Sequence, residues 1–139
     1  MTILDTNVVS ELMKPKPVPR VVAWLGAQPS TALYTTSITQ AEILHGLMLL
    51  PAGHRRSALD AAVASMFAED FAGRILPFAS DAATAYAQIA FDRRRAGRPI
   101  SHFDAQIAAI ARSTGAAVAT RNAADFQGCG VPVVDPWTA

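Results

Sequence analysis

The sequence predicts an α/β fold in which a mainly parallel, five-stranded sheet is sandwiched between two layers of helices. Three observations support this prediction. Five short apolar stretches bounded by turn residues are typical of buried strands. Segments with apolar residues at helical spacing lie between these stretches. Parallel strands need long, usually helical crossovers, so the alternation of strand and helix favours a three-layer α/β/α sandwich.

The predicted strands are short, and each one precedes or follows a helical pattern. Neighbouring strands in such βαβ units are expected to run parallel. Ligands of open parallel sheets bind beyond the carboxyl ends of the strands, so we expect the functional side chains to gather there. In chain order the predicted strands are Thr2–Leu4, Ala32–Thr35, Arg74–Leu76, Ala116–Ala119 and Val131–Val134.

Helical periodicity predicts most of the segments between the strands. A first short helix is expected at Val8–Met13, and the proline-rich run Lys14–Pro19 forms a rigid connector after it. The segment Ser37–Leu50 is apolar almost all round, which predicts a helix that is mostly buried. Three more helices are indicated by apolar residues at helical spacing, namely Val18, Val21, Val22 and Leu25; Ala82, Ala85, Tyr86, Ile89 and Ala90; and Phe103, Ile107, Ile110 and Ala111.

The chain has 139 residues, of which 51% are hydrophobic. A chain near this size buries roughly 68% of its unfolded surface, so we expect residues 1–139 to form one domain. Twelve basic residues nearly balance eleven acidic ones. Bulk attraction to a polyanion is therefore weak, and nucleic-acid binding would depend on local clusters of charge.

Cys129 is the only cysteine, so the chain cannot form an internal disulfide, and no histidine stands at a zinc-binding spacing from it. A reducing cytoplasm fits this composition. No apolar run reaches the ~18 residues of a membrane span, and the acidic Asp5 does not fit a signal peptide. We expect a cytoplasmic protein without a membrane partner.

Asp5 follows the first predicted strand directly. An aspartate there commonly caps the next helix. However, Thr6 and Asn7 are competent caps nearer to the expected helix start, which leaves the Asp5 carboxylate available for another role.

Glu42 lies in the apolar segment that we expect to be buried. A buried carboxylate must be protonated, paired with a cation or bound to a metal ion. His45, one helical turn later, is the only local partner, so an internal Glu42–His45 pair is the alternative to a functional role.

Asp104 and Asn122 each have an ordinary structural explanation. Ser101 to Asp104 fits a capping box, although a carboxylate at a helix N-terminus can still present an oxygen to a ligand. Asn122 and Asp125 have the spacing of a cap on a short helical turn. Asn122 nevertheless leaves the fourth strand and would lie on the same rim of the sheet as Asp5.

The three acids together indicate a metal site. If Asp5, Glu42 and Asp104 lay within about 5 Å of one another, each pair would repel by about 3 kcal/mol at an effective dielectric near 20. Protons or a divalent cation must neutralise such a cluster. Oxygen ligands without cysteine or a histidine pair favour Mg²⁺ or Mn²⁺, so we predict these three residues as metal ligands. Thr6, Asn7 and Ser37 are the predicted hydrogen-bond donors behind them.

The motifs that contain these residues resemble those of the PIN-domain ribonucleases, and in particular the VapC and FitB type of toxin from bacterial toxin–antitoxin pairs. The resemblance spans nearly the whole chain, and the order and separation of its motifs are specific. It is carried by LDTN with Asp5, TQAEI with Glu42, FDAQIAA with Asp104, ATRNAADF with Asn122, and the closing VPVVDPW.

This resemblance implies a PIN-like sheet, RNA cleavage that depends on Mg²⁺ or Mn²⁺, and a homodimer. It also implies inhibition by a small antitoxin, through which alone the chain would reach operator DNA. The catalytic residues that it implies are Asp5, Glu42, Asp104 and Asn122. The position of Asn122 is often aspartate in relatives, so its neutral amide argues against a second metal ion. Asp125 would substitute only if its turn points inward.

Several positive clusters offer candidate RNA contacts, although such runs are usually solvated helix faces. We predict phosphate contacts at Lys14, Lys16 and Arg20. The other clusters are His54–Arg56 and Arg93–Arg95 with Arg98. Trp24 is predicted to lie in the core, and Trp137 to anchor the C-terminal tail.

Two other functions fit parts of the sequence. An aspartyl phosphatase would use Asp5 as its nucleophile, but that chemistry commonly needs a second acid where Asn7 stands. A non-catalytic protein-binding module would use the acids as caps and its apolar excess as an interface. Stoichiometric Mn²⁺ binding distinguishes the nuclease from the binding module.

Overall fold

The structure, a computed structural model, describes residues 1–139 and contains the predicted parallel sheet. Its strands are β1 (Thr2–Leu4), β2 (Leu33–Thr36), β3 (Ile75–Leu76), β4 (Ala117–Ala119) and β5 (Val133–Val134). The strand order is β3-β2-β1-β4-β5, and every pairing is parallel. The predicted fold class is therefore confirmed; the bounds of β1 are as predicted, and those of the other strands differ by one or two residues.

Six helices surround the sheet. They are α1 (Thr6–Leu12), α2 (Pro19–Gly26), α3 (Ser37–Met48), α4 (His54–Ser65), α5 (Ser80–Arg95) and α6 (His102–Thr114). Short helical turns occur at Ser30–Ala32, Met66–Asp70 and Ala123–Phe126. Helix α4 was not predicted, because its many alanines give a weak amphipathic pattern.

Two hydrophobic cores lie on opposite faces of the sheet because successive strand residues point to opposite sides. Ile3 and Val118 pack in the core that includes residues of α5 and α6. Leu4 and Ala119 pack in the core that includes residues of α1, α3 and α4. Leu4 is the register partner of Ala119, so β1 and β4 end side by side. This alignment places the residues that follow the two strands next to each other.

The start of α1 corrects the sequence prediction. The helix begins at Thr6 rather than Val8, and Asp5 is its N-cap, with Oδ1 accepting a 2.8 Å hydrogen bond from the Thr6 N–H. Neither Thr6 nor Asn7 replaces it in this role. The prediction was wrong because the helix takes up both residues in its first turn.

The expectation that α3 is mostly buried was also wrong. Its buried residues are Thr39, Ile43 and Leu47, whereas Leu44 and Met48 are 45% and 69% exposed. An all-apolar sequence does not reveal which face a helix turns towards the core. Phe103, one of the apolar residues at helical spacing in α6, is 54% exposed, because the buried part of this helix begins at Ala105.

The two tryptophans are partly buried and pack against the same core as α1 and α3. Trp24 therefore lies at the edge of the core rather than fully inside it. None of the helices combines the length and the apolar character that crossing a lipid bilayer would require.

Candidate active site

A polar cavity of about 450 Å³ opens beyond the carboxyl ends of β1 and β4. Ten of its eleven lining residues are not hydrophobic. The lining comprises Asp5, Thr6, Asn7, Ser10, Glu11, Lys14, Glu42, Asp104, Arg121, Asn122 and Trp137. The structure thus brings Asp5, Glu42, Asp104 and Asn122 to one cavity from four distant parts of the chain.

Asp5 lies at the bottom of this cavity and is only 4% exposed. Its Oδ1 accepts the Thr6 N–H, and its Oδ2 accepts hydrogen bonds from Thr120 Oγ1 at 2.8 Å and Asn7 Nδ2 at 3.1 Å. Burial raises the pKa of Asp5 above its ordinary value, because the loss of solvation outweighs these hydrogen bonds, and the charge of Asp104 raises it further. The side chain is fixed in place by three donors.

Glu42 reaches the cavity from α3, and its Oε1 accepts a 2.8 Å hydrogen bond from Thr6 Oγ1. The single O–H of Thr6 donates to this carboxylate, so Thr39 is the donor in the 3.0 Å hydrogen bond between the Thr6 and Thr39 hydroxyls. Burial raises the pKa of Glu42, and the charges of Asp5 and Asp104 raise it further. His45 is exposed and forms no ion pair with Glu42, so the alternative of an internal pair is wrong.

Asp104 lies in the first turn of α6, where its N–H donates a 3.2 Å hydrogen bond to Ser101 Oγ. The serine therefore caps the helix as predicted, while the carboxylate lines the cavity. Burial is the largest cause of the raised pKa of Asp104, and the charge of Asp125 adds to it. Capping by Ser101 and a role for the carboxylate in the cavity are compatible.

The three carboxylates influence one another electrostatically but do not converge on one point. No group of three or more acidic, histidine or cysteine side chains has the spacing of a metal site. The chemical fit is nevertheless to a hard cation, because the available donors are carboxylate, hydroxyl and amide oxygens, and all three acids have raised pKa values. A shared metal ion therefore remains a prediction.

Two of the three residues predicted to donate hydrogen bonds to the acids do so. Thr6 and Asn7 hydrogen-bond to Glu42 and Asp5, respectively. Ser37 is the first residue of α3 and forms no hydrogen bond with any of the acids; the cap of this helix is Thr36, which accepts the Thr39 N–H. The role predicted for Ser37 is not seen.

Asn122 and Asp125 lie in the turn after β4. Asn122 lines the cavity, and its N–H donates to Thr120 Oγ1 at 3.1 Å, but its side chain does not cap the turn. Asp125 is exposed and does not line the cavity. It does not replace the missing fourth carboxylate.

Of the three predicted phosphate contacts, only Lys14 lines the cavity. Lys16 is exposed outside it, and Arg20 Nε donates a 3.1 Å hydrogen bond to the carbonyl of Ala139. Arg93 does not belong to an exposed patch. It is buried and donates to the backbone carbonyls of Arg98, Asp125 and Gln127, because the loop after β4 folds over it.

Several residues of the site were missed in the sequence. Thr120 is buried and does not line the cavity, but it donates a hydrogen bond to Asp5. It follows β4 as Asp5 follows β1, so the alignment of the two strands was a usable signal. Glu11 is 2% exposed and lies one turn after Asn7 on the same face of α1. Its carboxylate accepts hydrogen bonds from Lys14 Nζ at 3.0 Å and the Val18 N–H at 3.3 Å, and the Lys14 bond is the main reason why its pKa is lowered. Arg121 and Trp137 also line the cavity without having been predicted there.

A larger cavity, of about 680 Å³, lies between α1, α2, α4 and β2, and ten of its thirteen lining residues are hydrophobic. It contains none of the three clustered acids. Its size makes it prominent, but the polar cavity holds the groups that can carry out chemistry.

Comparison with known proteins gives consistent matches over the whole chain. A family model described as PIN domain matches residues 2–127. The chain is 40% identical over 137 residues to VapC ribonuclease Y4jK of Sinorhizobium fredii, which covers 99% of this chain and 98% of that protein. It is equally 40% identical over 137 residues to Toxin FitB of Neisseria gonorrhoeae, with 99% of both chains covered. The solved structure of FitAB bound to IR36 DNA fragment matches with a TM-score of 0.93 at 40% identity, over 99% of this chain and 96% of that one.

Proposed function

The chain belongs to the PIN domain family, and we propose that it is a Mg²⁺- or Mn²⁺-dependent endoribonuclease that acts as the toxin of a toxin–antitoxin pair. The observation that carries the proposal is the cavity that Asp5, Glu42 and Asp104 line together at the carboxyl end of the sheet. The relative named as a VapC ribonuclease supports RNA as the substrate.

The acids would hold the cation in defined roles. Asp5 and Asp104 would bind it, and Glu42 would bind it or orient its water. When bound, such an ion would lower the pKa of the attacking water and offset the charge that develops on the phosphate. One metal ion is favoured over two, because Asn122 is neutral and Asp125 lies outside the cavity.

The protein prepares this site with hydrogen bonds. Asn7 and Thr120 donate hydrogen bonds to one oxygen of Asp5 and so orient its carboxylate. Thr6 holds Glu42 and, through its backbone N–H, the other oxygen of Asp5. Donors of this kind orient metal-binding carboxylates, and their loss typically costs 10–100-fold in metal affinity or activity. Asn122 is the remaining proposed catalytic residue, at the rim of the same cavity.

A cognate antitoxin protein is the proposed partner that controls the nuclease. The FitAB complex with DNA supports this assignment and suggests that operator DNA is reached through the antitoxin. The chain itself has a net charge of only +1, which gives little general attraction to DNA.

We also propose that the toxin forms a homodimer through the exposed side of α3. Leu44, Met48 and Leu49 are large apolar residues that the core does not cover. Leu44 and Met48 are four residues apart and share one helix face. Contiguous exposed apolar patches are typical of protein–protein interfaces.

The decisive experiment is cleavage of single-stranded RNA by the purified chain. We expect cleavage with added Mg²⁺ or Mn²⁺, none with chelator, and a loss of at least about 100-fold in Asp104→Asn. The matched control is Asp60→Asn, which removes an exposed carboxylate of α4 outside the cavity and should leave the rate unchanged. Cleavage that is insensitive to chelator would refute the metal-dependent mechanism.

Calorimetric titration with Mn²⁺ distinguishes the nuclease from the two other functions. A protein-binding module should show no stoichiometric Mn²⁺ site. A phosphatase would form a phosphoenzyme on Asp5, but Asn7 donates a hydrogen bond to that carboxylate where such enzymes commonly have a second acid. We expect one Mn²⁺ per chain, lost in Asp104→Asn, and no phosphoenzyme.

A further inference from the structure

Arg121 and Trp137 form a stacked pair at the rim of the carboxylate cavity. The Arg121 Cζ lies 5.2 Å from the centroid of the Trp137 ring, and both residues line the cavity. This is the geometry of a cation–π interaction. The guanidinium forms no side-chain hydrogen bond and no ion pair, although the cavity contains several carboxylates. Arg121 is therefore a cation without a hydrogen-bonded or ion-paired anion, and its charge makes only a minor contribution to the lowered pKa of Glu11.

The backbone of Arg121 is tied to the catalytic acids. Its N–H donates a 3.1 Å hydrogen bond to Asn7 Oδ1, and Asn7 Nδ2 donates to Asp5 Oδ2 at the same distance. One asparagine thus connects the main chain of Arg121 with the most buried carboxylate of the site. The position of Arg121 relative to Asp5 is set by the fold and does not depend on a mobile loop tip.

Trp137 is held by packing. Its backbone N–H donates to Asp135 Oδ1 at 2.8 Å, and its ring packs against the core that includes α1 and α3. The indole Nε1 is the one buried side-chain nitrogen or oxygen without a hydrogen-bond partner. The position of the ring is therefore set by packing, and the guanidinium of Arg121 lies over its face.

Lys14, the other cation of the cavity, is in a different situation. Its Nζ is paired with the buried Glu11 at 3.0 Å, so much of its charge is already compensated. The free guanidinium of Arg121 is the better phosphate ligand, since it can give two parallel hydrogen bonds to one phosphate. Stacking on Trp137 restricts the side chain before binding, which lowers the entropy lost when a phosphate is bound.

We propose that Arg121, stacked on Trp137, binds a backbone phosphate of an RNA strand that lies in the carboxylate cavity, and that Trp137 is a positioning residue for it. The inference rests on the proposed function only in taking RNA as the substrate. It assigns Arg121 rather than Lys16 or Arg20 as the main phosphate contact, because those two residues lie outside the cavity.

The test measures RNA binding separately from cleavage. In an Asp104→Asn background that does not cut, Arg121→Gln should weaken binding of a single-stranded RNA and lower the slope of log K against log salt by about 0.7, as expected for one lost phosphate contact. Arg112→Gln is the matched control, because Arg112 is exposed on α6, lies outside the cavity and belongs to none of the positive clusters named above. It should leave the slope unchanged. Arg121→Lys should keep the salt slope but bind the RNA more weakly than the chain with Arg121.

Trp137 is tested with two variants in the cutting enzyme. Trp137→Leu should raise KM by about tenfold with kcat changed by less than about threefold, because the phosphate ligand loses its support. Trp137→Phe keeps an aromatic face and should lie close to wild type. In a Trp24→Phe background, RNA binding should also change the fluorescence of Trp137, which a purely structural anchor would not show.

The outcomes separate this inference from the proposed function. If the wild-type chain cuts RNA but Arg121→Gln keeps the full salt slope, the inference is wrong and the nuclease assignment stands. If the chain binds RNA with the predicted loss of slope but never cuts, the inference stands and the nuclease assignment fails. If the Asp104→Asn chain does not bind RNA even at low salt, the inference is overturned.

Discussion

The Thr6 hydroxyl donates a 2.8 Å hydrogen bond to the Glu42 carboxylate, which lies 36 positions later in the chain. The same threonine donates its backbone N–H to Asp5. One residue in the first turn of α1 therefore orients two acids that reach the cavity from different elements. The carboxylates are arranged by their hydrogen-bond donors as much as by the strands and helices that carry them.

Thr6→Val should remove the hydroxyl and keep both the volume of the side chain and the backbone N–H that Asp5 caps. Glu42 would lose its only hydrogen-bond donor, so we expect kcat for RNA cleavage to fall about 10–100-fold, as is typical for partners of metal-binding carboxylates. Single-turnover cleavage at saturating metal measures this loss directly. Thr6→Ser retains the hydroxyl and should stay within a few-fold of wild type. Equal rates for valine and serine would show that Glu42 does not need this donor.

Arg93 gives a prediction about stability. Its buried guanidinium donates to three carbonyls in the loops around α5 and α6, those of Arg98, Asp125 and Gln127. Arg93→Met leaves these acceptors without a donor, and we expect the free energy of unfolding to fall by about 2–4 kcal/mol. Urea denaturation followed by circular dichroism measures it.

Arg94→Met is the control for this stability measurement, because the neighbouring side chain is exposed and has no hydrogen bond or ion pair. Its effect should stay within about 0.5 kcal/mol. Similar losses for the two variants would mean that charge in the last turn of α5, rather than the buried hydrogen bonds, stabilises this region.

The exposed face of α3 gives a prediction about assembly. Met48→Glu should place a charge in the proposed homodimer interface, and we expect the dissociation constant to rise by at least about tenfold, because a buried unpaired carboxylate is costly. Analytical ultracentrifugation of the toxin alone measures the change. Val22→Glu introduces the same charge at an exposed apolar residue of α2 and should leave the association unchanged. A monomeric wild-type chain would contradict the assignment of this face.

The sequence was sufficient to predict the sheet and the location of the three acids around one edge of it. Strand positions follow from hydrophobic runs such as Thr2–Leu4, and the carboxyl ends of parallel strands necessarily share one edge. The LDTN, TQAEI and FDAQIAA motifs then place Asp5, Glu42 and Asp104 around that edge.

Other features depend on tertiary contacts that the sequence does not show. The exposed side of α3 could not be distinguished from its buried side, because Leu44 and Ile43 are equally apolar. Arg93 reads as part of a positive run, and only the fold reveals the carbonyls around it. The pairing of Arg121 with Trp137 joins the turn after β4 to the C-terminal tail, and no local pattern predicts such a contact.

The raised pKa of Glu42 gives a prediction about pH. Burial favours its protonated form in the folded state, with the charges of Asp5 and Asp104 acting in the same direction. Ionisation of Glu42 therefore costs folding free energy above its folded-state pKa, and this cost is absent below its ordinary pKa. Glu42→Gln removes the cost and keeps an oxygen that can accept the Thr6 hydrogen bond.

In chelator at pH 8, Glu42→Gln should therefore raise Tm by roughly 1–3 °C, a small value because the partly exposed carboxylate is screened by solvent. At about pH 3.5, where glutamate is protonated in both states, the two proteins should melt together. With saturating Mg²⁺ at pH 8, the wild type should have the higher Tm, because a bound cation stabilises its site and the variant has lost a ligand or water contact. Scanning calorimetry at the two pH values, with and without Mg²⁺, measures all three effects. A variant less stable than wild type at pH 8 in chelator would show that the Thr6 hydrogen bond to the charged form outweighs the cost of burial.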